Sequence, residues 1–220
     1  MVNVCQLLID QCAMKNQVRV VACFVVLSFS FYSCMVPFGD HQTAKLVGKG
    51  NAEVEPFYST YVWGASQAGL YMDYGLTDFM DVRASFSKFG DFKHNKDIVS
   101  IASFAPKIRL KKDVAALSLP VGMELDNHIV VTQPTLLLTS SVTPNIDLTF
   151  SPKAILTLQA PDDFSKEPLF AANIGLSIHI KGTPFTIRPE VGFGTEMRQF
   201  FNSGNWTYGG GLGLAFKIGR

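Results

Sequence analysis

The C-terminal part of the chain, residues 185–220, alternates between apolar and polar side chains with little interruption. Successive side chains of a β-strand point to opposite faces, so this alternation separates two faces of a sheet. One face carries Phe185, Ile187, Pro189, Val191, Phe193 and Met197, then Trp206, Tyr208, Leu212, Leu214, Phe216 and Ile218. The other carries Arg188, Glu190, Gly192, Gly194, Glu196 and Arg198, then Thr207, Gly209, Gly211, Gly213 and Lys217. The apolar face is long enough to cross a bilayer, which favours a transmembrane barrel with its apolar side outward.

The composition agrees with a barrel that spreads its apolar residues over alternate positions. Hydrophobic residues make up 47% of the 220 residues, charged residues make up 17%, and the mean hydropathy is +0.20. Beyond the N-terminus, no run approaches the ~18 consecutive apolar residues of a membrane-spanning helix. The net charge of +1 gives no support for nucleic-acid binding.

The N-terminus has the pattern of an export signal. Lys15 and Arg19 precede an apolar run from Val20 to Phe31, which predicts a secretory signal peptide over residues 1–33. Met14 offers an alternative start that would leave residues 1–13 untranslated.

Cys34 follows a small residue directly after the apolar run, and this resembles the cleavage site of bacterial lipoproteins. We therefore predict that Cys34 is lipidated. The four cysteines all lie within residues 1–34, so the rest of the chain has no disulfide framework and no thiolate metal site. The polar, glycine-rich residues up to 51 are predicted to complete a tether over 34–51, followed by a β-barrel over 52–220.

The fold predicted for that region is all-β, an up-and-down antiparallel transmembrane β-barrel of about ten strands. The expected spans are 52–63, 66–76, 79–89, 97–110, 113–125, 128–141, 145–158, 168–180, 184–198 and 205–219. Each span is close to or longer than the ~9–11 residues that a tilted strand needs to cross a bilayer. Short turns alternate with mostly longer, more polar connections, as in outer-membrane barrels, whose turns are periplasmic and whose longer loops are external.

Strand alternation also predicts which charged side chains face the lumen. The predicted set is Asp73, Asp81, Arg83, Lys107, Arg109, Glu124, Lys153, His179, Arg188, Glu190, Glu196 and Arg198. Charges of both signs nearly balance in this set, so ion pairs that fill the lumen are favoured over a charged pore lining. Six prolines fall inside the predicted strands, where each removes one ladder donor.

Aromatic residues near the predicted strand ends favour girdles at the level of the lipid headgroups. They are Tyr61, Trp63, Tyr74, Phe79, Phe200, Phe201, Trp206 and Tyr208. An apolar belt between such girdles would contact membrane lipid.

The turn Tyr74-Gly75-Leu76-Thr77-Asp78, followed by Asp81 and Arg83, resembles a hairpin of small bacterial outer-membrane barrel proteins. Residues 43–53 resemble the stretch before the first strand in some of these proteins. The resemblance covers most of residues 34–220 and implies residence in the bacterial outer membrane and insertion by the outer-membrane assembly machinery. It implies nothing about an activity or an oligomeric state.

Candidate chemistry in the sequence is sparse. His179 is predicted to be the one inward histidine, and Ser177 lies on the same face, but a catalytic triad depends on geometry across strands. The other histidines are too scattered for a metal site. We therefore predict no catalytic residues, no metal and no cofactor.

The function favoured by the sequence is that of an outer-membrane barrel with a structural role or a narrow polar pore for transport. Two alternatives stay open. One is a barrel enzyme acting on lipid or peptide at the outer surface. The other is a soluble lipocalin-like binding barrel, because alternation alone does not decide which face points outward.

Overall fold

The computed structural model describes residues 40–61, 64–94, 96–161, 168–196 and 207–219. Within these ranges, no helix is long and apolar enough to span a membrane. The predicted signal peptide and Cys34 lie outside the described residues.

Twelve β-strands lie in the described ranges. They are β1 (Ala52–Tyr61), β2 (Ser66–Gly75), β3 (Met80–Asp91), β4 (Lys96–Lys111), β5 (Ala115–Ser118), β6 (Val121–Glu124), β7 (Ile129–Thr132), β8 (Thr135–Thr143), β9 (Ile146–Gln159), β10 (Leu169–His179), β11 (Phe185–Glu196) and β12 (Thr207–Ile218). Apart from β5 with β6 and β7 with β8, consecutive strands pair antiparallel, and most of them are joined by short turns, as the alternation of the sequence predicts.

The sheet closes on itself because β12 pairs with β1, from Ala52 opposite Ile218 to Tyr61 opposite Gly209. β5 and β6 are two halves of one barrel strand, and so are β7 and β8. The barrel therefore has ten strands, which confirms the predicted up-and-down antiparallel fold.

Two prolines account for the divided strands. Pro120 lies between β5 and β6, and Pro134 lies between β7 and β8. Each lacks a backbone donor, but its carbonyl still accepts from the neighbouring strand, from Gln133 at 3.0 Å and Ala154 at 3.2 Å respectively. The closed barrel thus tolerates these prolines at a break in the strand, where each proline takes part in the sheet only as a hydrogen-bond acceptor.

The barrel wall is apolar outside and polar inside. Met72 and Leu212 are 55% and 54% exposed, whereas Glu55 and Asp81 are fully buried. A soluble barrel would bury its large apolar residues and expose its carboxylates, because that arrangement removes apolar area from water. The observed faces therefore exclude the soluble lipocalin-like alternative and agree with a lipid-facing belt.

The predicted aromatic girdles include one error. Tyr61 points inward, is buried, and donates a hydrogen bond to the Gln67 side chain at 2.9 Å. Tyr74, Phe79 and Tyr208 are exposed on the outer surface near strand ends, as a girdle requires. The other four aromatic residues of the predicted girdles lie outside the described residues.

An arginine scan along β12 would test the lipid-facing belt. Leu212 lies in the middle of β12 and Ile218 at its end, and the two are similarly exposed at 54% and 49%. We expect Leu212→Arg to lower the free energy of unfolding in bilayers by about 2–4 kcal/mol, and Ile218→Arg by at most about 1 kcal/mol, because the cost of a charge depends on depth. Denaturant titration in lipid vesicles measures both values. Equal costs at the two positions would contradict a bilayer around β12.

Candidate functional site

Inside the barrel, Arg83 binds acidic side chains from two neighbouring strands. Its Nε and Nη2 donate to the Asp73 carboxylate at 2.7–3.0 Å, and Nη2 lies 3.8 Å from Glu55 Oε2. Asp73 and Arg83 stand directly opposite each other in the β2–β3 register. The β2–β3 pairing alone therefore brings the two side chains of this ion pair next to each other on one face of the sheet.

Arg188 of β11 makes a second group of ion pairs, with two carboxylates of β1. Its Nη1 lies 2.6 Å from Glu53 and 2.5 Å from Glu55, although β12 runs between the two strands. Gly213 of β12 stands opposite Arg188, and a Cβ atom at this glycine would overlap the Glu55 carboxylate. The missing side chain is therefore what lets the arginine reach β1 across β12.

Residues 40–50, which we call the lumen segment, pass through the barrel interior before β1 begins. At its inner end, the backbone N–H groups of Asp40 and His41 donate to the Glu190 carboxylate at 3.0 and 2.9 Å. The Asp40 carboxylate accepts from Lys153 at 2.7 Å, and the Asp40 carbonyl accepts from Arg83 at 2.7 Å. Burial raises the pKa of the Asp40 carboxyl, and the Lys153 ammonium opposes that shift.

The rest of the lumen segment is held towards the short-turn end of the barrel. Ala44 N donates to Thr139 at 2.7 Å, Val47 N donates to Asp81 at 2.7 Å, and Lys45 Nζ lies 2.8 Å from Asp147. The backbone of Gly50 then donates to the Gly75 carbonyl at 2.8 Å. Contacts with strands on several sides of the barrel therefore fix this segment along the lumen.

The structure differs here from the predicted tether at residues 34–51. Asp40, His41, Thr43, Ala44 and Val47 are all buried. The physical reason is that the inward carboxylates and hydroxyls of the barrel satisfy the backbone and side-chain polar groups of this segment, which a solvated linker would leave to water.

An inward aromatic cluster supports the lumen segment. The rings of Phe57 and Tyr71 stack with centroids 4.2 Å apart, and the His41 ring lies 5.6 Å from Phe57. The Arg83 guanidinium lies over Tyr71 at 4.2 Å from the ring centroid. Sequence reasoning missed this cluster, although Phe57 and Tyr71 on the mostly polar inward faces of β1 and β2 were a signal that another part of the chain packs on them.

The structure brings most of the predicted lumen charges together. Asp73, Asp81, Arg83, Lys107, Lys153, Arg188 and Glu190 are buried in the interior, and Arg109, Glu124 and His179 are half-buried. Glu124 accepts from the backbone N–H groups of Asp126 and Asn127, so it caps a turn at the far end instead of pairing in the lumen. The side chain of Glu196 and the whole of Arg198 lie outside what the structure describes.

His179 sits between two hydrogen-bonding side chains. Its Nε2 lies 3.0 Å from Asp147 Oδ2, and its Nδ1 lies 3.0 Å from Thr186 Oγ1. The order hydroxyl, imidazole, carboxylate is that of a hydrolase triad, but Asp147 also binds Lys45 and accepts from Ser141 at 2.7 Å. Because Asp147 contacts Lys45 of the lumen segment as well as His179 and Ser141, it belongs to a hydrogen-bond network that anchors this segment. Within the described ranges, no group of three or more His, Cys, Asp or Glu could hold a metal ion.

No known family matches this sequence, and no curated protein matches it either. Among solved structures, the chain is similar to the NanC porin, with 11% identity, a TM-score of 0.50, and coverage of 76% of this chain and 100% of the porin. A looser match is the N-terminal β-barrel domain of Pseudomonas aeruginosa OprF, at 13% identity and a TM-score of 0.38, covering 78% of this chain and 99% of that domain. An outer membrane channel from Pseudomonas putida F1 matches at 12% identity, 84% and 100% coverage and TM-score 0.46. At these identities the likeness to the porin bears on the fold alone.

The fold and its interior define the class of this protein. It is a closed ten-stranded transmembrane β-barrel, and its own residues 40–50 lie among ion pairs in the lumen.

Proposed function

We propose that this chain is a bacterial outer-membrane barrel protein with a structural role and a lumen that its own N-terminal residues close. The apolar belt contacts membrane lipid, and the signal sequence at residues 1–33 directs export. Three observations support an outer-membrane location: the apolar belt, the short turns at one end of the barrel, and the barrel fold shared with the NanC porin. The closed lumen argues for a barrel that does not conduct steadily.

The observation that carries the proposal is the pairing of Glu190 with the two N–H groups at the inner end of the lumen segment. A charged acceptor that binds backbone donors is stronger than a neutral one, so it holds the segment in place. The spaces beside Asp40 and beside Glu190 measure about 30 and 20 Å³, enough for one or two water molecules. A hydrated ion needs a wider continuous path than these two spaces provide among the described residues.

Conductance in planar bilayers tests the proposal. We expect the wild-type protein to show no steady open level, because the lumen segment and the cross-lumen ion pairs occupy the path. A variant that lacks residues 40–47 should show a stable open level, because the deletion leaves an unfilled polar lumen. Heat-modifiable migration on gels checks that each protein has folded into a barrel before the recording.

A point substitution tests the proposal even if the deletion variant does not fold. Glu190→Gln keeps the size of the side chain but removes the charge that binds the segment, and we expect frequent openings. A control variant, Glu124→Gln, changes a carboxylate that caps a turn away from the segment and should stay closed. A large and steady wild-type conductance would overturn the closed-lumen proposal and make the same charged residues a pore lining.

A further inference from the structure

A cavity of about 250 Å³ lies at the short-turn end of the barrel, between the lumen segment and the inner wall. Its wall includes the segment itself and strands β1, β3, β4, β10, β11 and β12. Five cations and one carboxylate line it: Lys45, Arg83, Lys107, Arg188, Lys217 and Glu53. The carboxylates that pair with Lys45, Arg83 and Lys107 are not among the lining residues, so cations outnumber carboxylates on the surface that a ligand would meet.

One of the lining cations has an unused donor. Arg188 binds Glu53 and Glu55 through Nη1, but its Nε has no hydrogen-bond acceptor in the described part of the chain. The Arg188 side chain is only 9% exposed, so little water is available to that N–H group. A buried guanidinium N–H without a partner is costly, and a rotation of the Arg188 side chain towards an anion in the cavity would relieve the cost.

The rim of the same end adds a positive field. Lys49, Lys111, Lys112 and Lys181 are exposed in the turns and in the chain leading to β1, against two exposed carboxylates, Asp78 and Asp113. Charge of one sign around an opening raises the local concentration of ions of the opposite sign and steers them inward.

We infer that this cavity binds a small anion with phosphate or carboxylate oxygens. A volume of about 250 Å³ is below the ~300–1,000 Å³ of sites for drug-sized ligands, so the ligand is of the size of inorganic phosphate or a short dicarboxylate. A free anion fits better than a lipid headgroup, because most of the lining residues belong to the lumen segment and to inward faces of the strands, and only Phe185 and the turn before it lie towards the outer surface. The inference does not depend on whether the barrel conducts.

Isothermal titration of the refolded full chain with inorganic phosphate tests the inference, at constant ionic strength with chloride as the competing anion. We expect saturable binding of one phosphate per chain. Lys217→Glu should weaken the binding by about fivefold or more, because it reverses a charge at the cavity. The matched control is Lys112→Glu, which makes the same charge change on an exposed turn that does not line the cavity, and it should bind like the wild type.

Three outcomes would overturn the inference. The first is that wild-type protein shows no saturable phosphate binding although heat-modifiable migration verifies that it is folded. The second is equal weakening by Lys217→Glu and Lys112→Glu, because that would mean general surface charge. The third is loss of phosphate binding when phosphatidylglycerol is added to the detergent micelles, because that would assign the site to a lipid headgroup.

Discussion

Replacement of Arg188 with methionine is expected to lower the free energy of unfolding by about 3–5 kcal/mol. The substitution keeps much of the side-chain volume but removes the cation that lies 2.6 Å from Glu53 and 2.5 Å from Glu55. Two carboxylates then share a buried site with one fewer cation, and a buried charge without its partner is one of the most destabilising changes known. Denaturant titration of the barrel refolded in lipid vesicles measures the loss.

Lys45→Met is the matched control for this prediction. Lys45 also forms an ion pair, at 2.8 Å from Asp147, but its side chain is 34% exposed and Asp147 keeps two other hydrogen-bond donors, His179 and Ser141. We expect a loss of at most about 1 kcal/mol, because a pair that water can reach contributes little. If the two substitutions cost the same, burial does not set the strength of these pairs.

A double variant separates the ion pair from simple packing. Glu55→Gln alone should destabilise the barrel, since it leaves Arg188 with one carboxylate, but Glu55→Gln combined with Arg188→Met should cost less than the two single losses together. We expect the difference to be about 1 kcal/mol or more, as for residues in direct contact. Strictly additive losses would show that Arg188 and Glu55 do not interact in the folded barrel.

The barrel and its faces could be predicted from the sequence because both depend on local alternation. A strand repeats every two residues, so each inward charge, such as Asp73 or Arg188, follows from its neighbours along the chain. The pairing of Asp73 with Arg83 follows from a short hairpin, where the turn fixes the register. The prolines at 120 and 134 were predicted to lie inside continuous strands, and only the structure shows that the strands divide there and that the proline carbonyls still accept hydrogen bonds from the neighbouring strand.

The lumen segment could not be predicted because its partners are far away in sequence. Asp40 meets Glu190 across 150 positions and Ala44 meets Thr139 across 95. A polar, glycine-rich stretch without periodicity has the composition of a linker, and nothing local in it specifies burial. Its contacts exist only after ten strands have closed around it.

Two indirect signals of the segment were nevertheless present in the barrel sequence. Inward glycines alternate along β12, and a Cβ atom at Gly211 would overlap the His41 ring and the Ser59 hydroxyl. Glycines on an inward face lower side-chain volume, which is useful only where something else fills the space. A lumen lined with glycine on one side and carrying inward aromatic rings on the other is one that accommodates a further piece of chain.

Gly75 provides the most direct test of how the segment is anchored. In the turn Tyr74–Asp78, Gly75 exchanges backbone hydrogen bonds with the incoming chain, accepting from Gly50 at 2.8 Å and donating to Asn51 at 2.9 Å. A Cβ atom at Gly75 would overlap the Gly48 carbonyl, which is backbone and cannot rotate away. The glycine of this turn is therefore required by the segment that packs on it, and not by a left-handed backbone conformation, since the positive φ angles of the described residues lie elsewhere.

Gly75→Ala is accordingly expected to lower the free energy of unfolding by about 1–3 kcal/mol, as overpacking does, and to raise the conductance by displacing the lumen segment. Gly210→Ala is the control, because a Cβ atom there makes only an ordinary contact, 3.6 Å from the Glu190 carbonyl. That change should be neutral or slightly stabilising, since alanine restricts the unfolded chain more than glycine does. Denaturant titration and bilayer recordings on both variants check the pair of expectations. If Gly75→Ala were as stable and as closed as Gly210→Ala, the segment would not be held at this turn, because the added methyl group cannot coexist with the Gly48 carbonyl in its present position.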